Sequence, residues 1–482
     1  MNLRRTKIVA TLGPATSSQE ALERIIAAGT DVVRLNFSHG SAQDHKQRAE
    51  TVLKAASKVG RHVAILADLQ GPKVRIARFI NNKVQLTNGQ DFILDPSMDL
   101  ESGTEQAVGL DFPELGKDLH KGDILLLDDG RIVLKVVHVE QNKVHTLVEV
   151  GGPLSNNKGI NLQGGGLSAP ALTDKDRADL ITAAEIGADY IAISFVRNAG
   201  DMHEARALLE QAGSNAGLIA KIERAEAIET ETLKGIIQAS EGIMVARGDL
   251  AVEIGDAMLV GVQKDIIKQT RKLNRIVITA TQMMESMITS PMPTRAEVSD
   301  VANAVMDGTD AVMLSAETAV GDYPAQTVEA MARVCLGAEQ HKNAHKSSHR
   351  LDIAVHSIYE SVALSAMYAA NHLDGVKAII CMTQRGKTPL LMSRISSGIP
   401  IFAFTSHAET QRRVCLYRGV ITHPFDSSII NNDQVNHVAV EQLRALGIVQ
   451  DGDIVLISKG DYVKAHGGTN TLKVVRVGDL IQ

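Results

Sequence analysis

The 482-residue sequence predicts an α/β protein: a (β/α)8 barrel with an inserted antiparallel β lid domain and a further α/β domain in its C-terminal part. Three observations predict this fold. Eight short β-branched runs recur within residues 1–320, with helix-like stretches between most of them, and polar residues follow at the ends of these runs. The alternation of strands and helices is interrupted once, where several strands follow one another without a helix between them.

The eight runs are typical of parallel strands because they are short, apolar and almost continuous. Helix-like stretches such as 175–187, with apolar residues near a 3.6-residue period, separate them. Eight such units favour a closed barrel over an open sheet. The predicted strands are 7–13, 31–37, 62–68, 188–196, 217–223, 242–249, 275–282 and 310–317.

Polar side chains lie at the carboxyl ends of six of these strands. In a (β/α)8 barrel the carboxyl ends of the strands form the catalytic face. Residues of this kind in six strands together favour an active site over isolated structural ion pairs. They are Arg34, Asn36, Asp68, Lys221, Glu223, Arg247, Asp249, Thr281, Gln282, Ser315 and Glu317.

The interruption lies between the third and fourth strands. Alternating runs there flank Asp129-Gly130, a strong hairpin signal, and Gly164-Gly165-Gly166 is a plausible return hinge. We therefore predict a β domain at the catalytic rim that acts as a lid and excludes water. After the barrel, a polar linker at 339–350 precedes a second α/β pattern. The predicted domains are 1–70 and 169–343 for the barrel, 71–168 for the lid domain and 344–482 for the C-terminal domain.

Composition excludes several classes of function. A net charge of −6 argues against a generic nucleic-acid or membrane-surface binder, and no apolar run is long enough to span a membrane. Gly13-Pro14 interrupts the first apolar run, so we expect no signal peptide. Cys335, Cys381 and Cys415 lie far apart, which indicates reduced thiols and a cytoplasmic protein.

The charges at the strand ends indicate anion chemistry. Glu223 and Asp249 suit a hard divalent cation, whereas Lys221, Arg34 and Arg75 suit phosphate or carboxylate oxygens. A sharp turn into a helix at Gly248-Asp249 offers backbone N–H groups to a small carboxylate. The residues alone thus predict a Mg²⁺-dependent barrel enzyme acting on phosphorylated acids or enolates.

Longer motifs carry a family resemblance. KIVATLGPAT, VVRLNFSHG, AKIERAEAI, MVARGDLAVEI, TATQMMESM and PTRAEVSDVANAVMDGTDAVMLSAETAVGDYP, in this order from residue 6 onwards, closely resemble the pyruvate kinase family. The resemblance implies a TIM barrel with a lid, a C-terminal regulatory domain and a homotetramer. It also implies a phosphotransferase of glycolysis that transfers the phosphoryl group of phosphoenolpyruvate to ADP, giving pyruvate and ATP.

The resemblance also implies residue roles. Lys221 would neutralise charge on the phosphoryl group during its transfer. Glu223 and Asp249 would hold Mg²⁺ or Mn²⁺. Thr281 would bind the substrate carboxylate together with Gly248 and Asp249. The remaining roles concern phosphates, a monovalent cation and the nucleotide. Arg34 and Arg75 would bind phosphates. The monovalent-cation pocket would consist of Asn36, Ser38, Asp68 and Leu69. The nucleotide would contact Pro14, His39, Arg34 and Arg75.

The chain departs from common family patterns at three positions. Asn198 and Val320 occupy positions where many members have lysines near the nucleotide, so the contacts to ADP stay open. Ala251 replaces a usual glycine, for which we expect only a small change in packing. The proton donor to the enolate also stays open, with Ser315 and a water chain as candidates.

Lys73 predicts independence from potassium. Potassium-requiring pyruvate kinases have a glutamate at the position of Lys73 and a threonine at the position of Leu69. A lysine reverses the sign of the charge beside the monovalent-cation pocket, so its ammonium would supply the charge that potassium brings. The chain thus resembles the potassium-independent branch of the family, and we expect that K⁺ is not required.

A phosphate cradle is predicted in the C-terminal domain. Hydroxyls, N–H groups and cations lie in one loop ahead of a helix, where the family binds effectors. We expect activation by a sugar phosphate or AMP, without a way to choose between them. The loop residues are Thr383, Arg385, Gly386, Lys387 and Thr388.

Two alternatives stay open at this point. One is a barrel lyase or aldolase that uses the same Mg²⁺–enolate chemistry without a nucleotide, against which the lid and the GPKVR segment argue. The other is a catalytically dead sugar-phosphate sensor, against which the intact Lys221, Glu223, Asp249 and Thr281 argue.

Overall fold

The computed structural model describes residues 3–341, 354–461 and 468–479, so most of the predicted linker at 339–350 lies outside the described residues. The chain forms two compact units. The first comprises Met1–Ala67, Glu185–Ile191 and Ile267–Gln482, and the second comprises Asp68–Ala184 and Ala192–Ile266.

The first three strands alternate with two capped helices. The elements are β1 (Lys7–Thr11), α1 (Gln19–Ala28), β2 (Val32–Asn36), α2 (Ala42–Val59) and β3 (Ala64–Asp68). The Ser18 hydroxyl accepts a hydrogen bond from the Ala21 N–H at the start of α1, and Ser41 and Asp44 form a capping box at the start of α2. Both helices therefore begin where side chains satisfy their first free N–H groups.

The inserted domain follows β3 and is mainly antiparallel. Its elements are β4 (Lys83–Leu86), β5 (Asp91–Leu94), β6 (Ala107–Val108), α3 (Leu115–Asp118), β7 (Ile124–Leu127), β8 (Ile132–Glu140), β9 (Lys143–Val150), β10 (Gly152–Ser155) and β11 (Ile160–Leu162). A six-stranded sheet has the order β11-β7-β8-β9-β5-β6, and β10 pairs with β4. The predicted Asp129-Gly130 hairpin is confirmed, since β7 and β8 pair in antiparallel fashion around it.

The remaining barrel strands return to the alternating pattern. The elements are α4 (Asp174–Glu185), β12 (Tyr190–Ile193), α5 (Ala199–Gln211), β13 (Gly217–Ile222), α6 (Thr230–Ala239), β14 (Gly242–Ala246), α7 (Arg247–Ile254), α8 (Asp256–Lys272), β15 (Ile276–Ala280), α9 (Arg295–Asp307), β16 (Ala311–Leu314), α10 (Ala316–Ala319) and α11 (Pro324–Glu339). Strand β12 ends before the predicted 196 because Phe195 has a φ of +54°, which no strand residue adopts.

The eight parallel strands close into a barrel in the order β1-β16-β15-β14-β13-β12-β3-β2. Strands β1, β3, β12, β14, β15 and β16 are buried along their whole length. Burial on both faces explains why these strands are apolar without alternation. The predicted barrel with its inserted β domain is thus confirmed.

The C-terminal domain is a five-stranded sheet with helices. Its elements are α12 (Ile358–His372), β17 (Val376–Met382), α13 (Lys387–Ser393), β18 (Ile401–Thr405), α14 (Ala408–Arg413), β19 (Val420–Pro424), α15 (Val435–Ala445), β20 (Ile454–Gly460) and β21 (Thr469–Arg476). The strand order is β19-β18-β17-β20-β21, with β21 antiparallel to its neighbour. This confirms the predicted second α/β pattern.

A buried ion pair joins α13 to the barrel strands of the same unit. Arg394 follows α13, is fully buried, and donates to both carboxylate oxygens of Asp310, which directly precedes β16. The same carboxylate accepts hydrogen bonds from the Val277 and Arg418 N–H groups. Since a buried charge needs a partner and further hydrogen bonds, this network favours one arrangement of the C-terminal domain on these strands.

Two features bear on the environment of the chain. The three cysteines are free and buried, and burial raises the pKa of each thiol to about 12, so they stay protonated. Among the described residues, no helix combines the length and apolar character needed to cross a membrane.

Candidate active site

Lys221 is the centre of a charged cluster in the second unit. It lies near the end of β13, and its Nζ is 2.9 Å from Glu223 Oε1 and 3.3 Å from Asp68 Oδ1. Nζ also donates a hydrogen bond of 2.7 Å to Ser194 Oγ. The ammonium is therefore held in place by three groups, and its side chain is only 12% exposed.

Glu223 is a buried carboxylate with an altered pKa. Burial raises its pKa, and the nearby charge of Asp249 raises it further, whereas Lys221 and the Phe195 N–H stabilise the ionised form. Phe195 reaches this carboxylate from a backbone with positive φ, a strained conformation for a non-glycine residue. The backbone after β12 is thus shaped to donate to Glu223.

Lys73 lies beside Asp249, one of the two predicted metal ligands. Its Nζ is 2.8 Å from Asp249 Oδ1 and 3.8 Å from Asp129 Oδ1. Burial opposes the charged form of Lys73, but the Asp249 carboxylate outweighs burial and raises the pKa of the lysine. Lys73 is therefore a paired cation, 21% exposed, rather than a free surface charge.

The donor set fits a hard divalent cation. Asp249 lies close enough to Glu223 that its charge raises the pKa of Glu223, an arrangement that a bound cation would relieve. Both offer carboxylate oxygens, which Mg²⁺ and Mn²⁺ prefer. Asp249 lies in the first turn of α7 beside Gly248, where free N–H groups also favour negative charge.

Three further predicted residues lie in the second unit. Arg75 donates through its backbone to Asp111 and through Nη1 to the carbonyl of Asn157, both in the inserted domain. Leu69 is buried, and its carbonyl accepts a hydrogen bond from Ser194 Oγ. Asn198 caps α5 by accepting from the Gly200 N–H, so its side chain has a structural role.

The first unit contains the predicted residues of β2. Arg34 Nη1 donates to Thr11 Oγ1 at 3.1 Å, and Thr11 lies at the end of β1. Asn36 Oδ1 accepts a hydrogen bond from the Ser38 N–H, which joins two members of the predicted monovalent-cation pocket. His39 is exposed in the loop that follows.

Thr281 follows β15 in a strained backbone. It has a φ of +68°, unusual for a β-branched residue, and its hydroxyl donates to the carbonyl of Ala280 at 2.6 Å. Such strain persists only where the surroundings impose it, and it is concentrated at functional sites. Pro14 starts a short 3-10 helix after β1 in the same unit, and Val320 is 57% exposed.

The predicted effector loop connects β17 to α13. Thr383 Oγ1 accepts from the Gly386 N–H, and Thr388 Oγ1 lies 2.9 Å from Thr469 Oγ1 on β21. Lys387 Nζ lies 4.5 Å from the centre of the Tyr359 ring, and Arg385 is exposed. Two hydroxyls, two cations and a glycine with positive φ thus lie in one short segment.

Val298, Val301 and Ala304 form an apolar stripe on α9, within the segment 293–305. Val301 and Ala304 on α9 are fully buried, and Val298 is half-buried. The stripe itself therefore packs within its own unit, whereas Arg295 of this segment and the preceding Met292 are exposed.

Sequence reasoning missed two residues of the site region. Ser194 positions Lys221, and its place at the end of the fourth strand was a signal that could have identified it. Glu253 accepts a hydrogen bond from the Ala225 N–H, and its carbonyl accepts one from Gly164 in the return hinge. Burial raises the pKa of Glu253 to about 7, with the Glu226 carboxylate adding to the effect.

Comparison with known proteins decides the family. The model of the pyruvate kinase barrel domain matches residues 3–328, and that of the pyruvate kinase alpha/beta domain matches residues 360–475. The chain belongs to the pyruvate kinase family. It is 58% identical to pyruvate kinase II of Salmonella typhimurium, over 98% of this chain and 99% of that one. It is 57% identical to the pyruvate kinase of Haemophilus influenzae, over 97% of each chain.

A solved structure agrees with the family assignment. The crystal structure of a pyruvate kinase from Cryptosporidium parvum matches with a TM-score of 0.90 and 32% identity, covering 98% of this chain and 96% of that one. The predicted pyruvate kinase fold and phosphotransferase activity are thereby confirmed. Pyruvate kinases generally use Mg²⁺, in agreement with the carboxylates of Glu223 and Asp249.

The pKa of Glu253 generates a prediction about stability and pH. The pKa of about 7 lies above the usual 4.5 of a glutamate, so the folded chain binds more protons than the unfolded chain between these values. Stability should therefore fall as the pH rises through this window, by up to about 3 kcal/mol from this residue. Glu253→Gln should reduce the loss, measured as the difference between the thermal midpoints at pH 5 and pH 8.

Glu229→Gln is the matched control, because Glu229 is an exposed glutamate of the same unit. It should leave the pH dependence of the midpoint as in the unmodified chain. If the thermal midpoint of the Glu253→Gln variant depended on pH as strongly as that of the unmodified chain, the raised pKa of Glu253 would be contradicted.

Proposed function

We propose that the cluster around Lys221 carries the reaction of this chain, in which the phosphoryl group of phosphoenolpyruvate passes to ADP and yields pyruvate and ATP. The observation that supports it is the fixed ammonium of Lys221, held by Asp68, Glu223 and Ser194. A cation fixed before reaction stabilises charge that develops in the transition state without the cost of reorganisation. Phosphoryl transfer relies mainly on such positioning and charge.

Glu223 and Asp249 are the proposed holders of Mg²⁺, with Mn²⁺ as an alternative ion. When bound, the ion supplies positive charge to the substrate oxygens and to the enolate. The proximity of the two carboxylates supports this role, because the charge of Asp249 raises the pKa of Glu223 and a bound cation would relieve that repulsion. Lys221 pairs with Glu223, and Lys73 pairs with Asp249. Each lysine offsets negative charge near a carboxylate that would otherwise repel an anionic substrate.

The remaining proposed roles concern orientation. Arg34 and Arg75 bind phosphates, Thr281 and the N–H groups near Gly248 bind the substrate carboxylate, and Pro14 and His39 border the nucleotide. The strained backbone of Thr281 and the place of Gly248 in the first turn of α7 support the carboxylate site. The proton donor to the enolate and the contacts that replace the lysines missing at Asn198 and Val320 stay open.

The role of Lys221 is tested by Lys221→Met. Loss of the ammonium should lower kcat by at least about a hundredfold, equivalent to roughly 3–4 kcal/mol of transition-state stabilisation. The assay couples pyruvate formed from phosphoenolpyruvate and ADP to lactate dehydrogenase, and circular dichroism checks the fold. A decrease in kcat of less than about tenfold would make the assigned role wrong.

Lys234→Met is the control, since Lys234 is an exposed lysine of α6 in the same unit. It should keep full activity. A second readout separates the two steps: exchange of the methyl protons of pyruvate for deuterium should partly survive Lys221→Met and fail with Glu223→Gln. Consumption of phosphoenolpyruvate without formation of ATP would instead favour the alternative lyase or aldolase.

Independence from potassium is proposed from Lys73. Its ammonium, 2.8 Å from Asp249, supplies a fixed positive charge next to a predicted metal ligand. At about 4 Å and an effective dielectric constant near 20, a unit charge changes the energy of a neighbouring cation by about 4 kcal/mol before screening. That energy is comparable with the whole binding free energy of a millimolar site, about 4 kcal/mol. A lysine here thus disfavours a monovalent cation and replaces its charge.

Potassium dependence is measured in chloride salts of potassium and tetramethylammonium. The unmodified chain should have equal kcat in both. Lys73→Glu should lose activity in tetramethylammonium and regain it with potassium, because the glutamate restores negative charge at the pocket.

Lys83→Glu makes the same charge change at an exposed position of β4 in the inserted domain and serves as the control. It should behave as the unmodified chain does in both salts. A strong requirement of the unmodified chain for potassium would refute the proposal.

Allosteric activation by a sugar phosphate or AMP is proposed at the loop of Thr383, Arg385, Gly386, Lys387 and Thr388. The exposed guanidinium of Arg385 and the hydroxyls of Thr383 and Thr388 support it, because a phosphate needs both cations and hydrogen-bond donors. The proposed active assembly is a homotetramer, the arrangement that the resemblance implies. Exposed Met292, Met306 and Arg295 offer surface for it.

Effector binding is tested by Arg385→Glu and Thr388→Ala. Basal activity should be unchanged, whereas the concentration of sugar phosphate or AMP needed for half-maximal activation should rise by at least about tenfold for Arg385→Glu, because a charge-assisted contact is lost. Lys377→Glu, at an exposed position of β17, is the control. Light scattering checks that each variant keeps the mass of a tetramer, and unchanged activation in both variants would exclude the site.

The remaining proposals concern organisation. The proposed boundaries are 1–70, 71–168, 169–343 and 344–482, supported by the return of helices after β11. A cytoplasmic location is proposed from the buried, protonated thiols of the three cysteines, which suit a reducing compartment.

A further inference from the structure

A β-bulge changes which face of β8 is exposed. The pairing with β9 shifts register between Val136 and His138, so Val137 is an extra residue. Before the bulge, Leu134 and Val136 are buried; after it, Val139 packs against the core of the inserted domain while His138 is exposed. With an unbroken period of two residues, His138 would face the same side as Val136. The bulge therefore turns His138 outward.

Three potential metal ligands meet on this outer face. His138 pairs directly with His145 on β9, and Glu140 follows two residues later on the same side of β8. The two imidazole rings stack with centroids 4.2 Å apart and planes 9° from parallel. The ligand atoms of all three side chains lie within 4.8 Å of one another, and no other group of three such residues does so in the part of the chain that the structure describes.

The charged residues near His138, Glu140 and His145 pair with other partners, which leaves these three side chains free to bind a ligand. Lys143 lies opposite Glu140 across the strands, but its Nζ pairs with Asp95 at 2.7 Å instead. Among the described residues, no hydrogen bond or ion pair engages the side chains of His138, Glu140 or His145. The carboxylate therefore remains without a cation beside two imidazoles.

We propose that His138, Glu140 and His145 bind a divalent transition-metal ion of the Zn²⁺ type. Two imidazoles and one carboxylate, with water as the fourth ligand, are a common donor set for zinc. Imidazole nitrogens disfavour Mg²⁺ and Ca²⁺, so this site differs chemically from the all-oxygen pair of Glu223 and Asp249.

The geometry needs only side-chain rotation. Ligand atoms about 2.1 Å from a tetrahedral zinc lie about 3.4 Å from each other. The three side chains, of which His138 and Glu140 are exposed and His145 is half-buried, must therefore close by up to roughly 1.4 Å through changes of rotamer. The bound ion would join β8 to β9 beside the two-residue turn of Gln141 and Asn142, where both residues have positive φ.

Histidine modification tests the site in the unmodified full-length chain. Diethyl pyrocarbonate labels free imidazole nitrogens, and peptide mass spectrometry reports the label at each histidine. With Mg²⁺ present throughout, Zn²⁺ at about 0.1 mM, a saturating level for an affinity in the micromolar range, should protect His138 and His145. His120, an exposed histidine of the same domain, should be labelled equally with and without zinc. Equal labelling of His138 and His145 in both conditions would overturn the proposal.

Calorimetric titration with Zn²⁺ gives the second measurement. His138→Gln and His145→Gln should each weaken this zinc site by more than about tenfold, and Glu140→Gln should weaken it less. His120→Gln is the matched control and should leave the affinity unchanged. Zinc binding of equal affinity in the unmodified chain and in both histidine variants would locate the ion elsewhere and overturn the proposal.

Discussion

The positive charge of Lys221 allows two carboxylates, those of Asp68 and Glu223, to lie almost fully buried beside it. Burying one ionised carboxylate without a partner costs several kcal/mol, and two neighbouring carboxylates repel each other as well. The ammonium at 2.9 and 3.3 Å offsets both costs, and Ser194 fixes its direction. The same charge thus stabilises this end of the barrel and is presented to an anionic substrate, so the fold and the reaction depend on one side chain.

Much of this arrangement follows from local sequence. A parallel barrel strand is buried on both faces, so its run of β-branched residues is visible without knowledge of its neighbours. Because the strands are parallel, a polar residue that ends such a run must lie at the same face as those ending the other strands. The positions of Lys221, Glu223 and Asp249 at strand ends therefore predicted that they lie on one face of the barrel. The Asp129-Gly130 hairpin was predicted because the alternating runs around it depart from the pattern of the barrel strands.

Other features could not be predicted because they depend on which distant segments meet. The sequence predicts Lys73 beside the monovalent-cation pocket, and nothing near it in the chain indicates its ion pair with Asp249, 176 residues further along. Glu253 has an ordinary helical context in sequence, and its raised pKa follows from burial by distant segments, with the Glu226 carboxylate adding to the effect. The bulge at Val137 depends on pairing with β9, and the sequence of β8 carries a trace of it, because its even-numbered positions are apolar up to Val136 and polar from His138 onwards.

The ion pair between Arg394 and Asp310 gives the C-terminal domain a short mechanical connection to the barrel. Helix α13 begins at Lys387 in the loop proposed for effectors and ends directly before Arg394, a length of about 10 Å. Asp310 in turn precedes β16, and Ser315 follows that strand on the side where the catalytic groups are expected. One helix, one buried ion pair and one four-residue strand therefore connect the loop to Ser315. If a ligand at the loop changed the affinity of the catalytic groups for theirs, the catalytic ligand would change the affinity at the loop by the same factor.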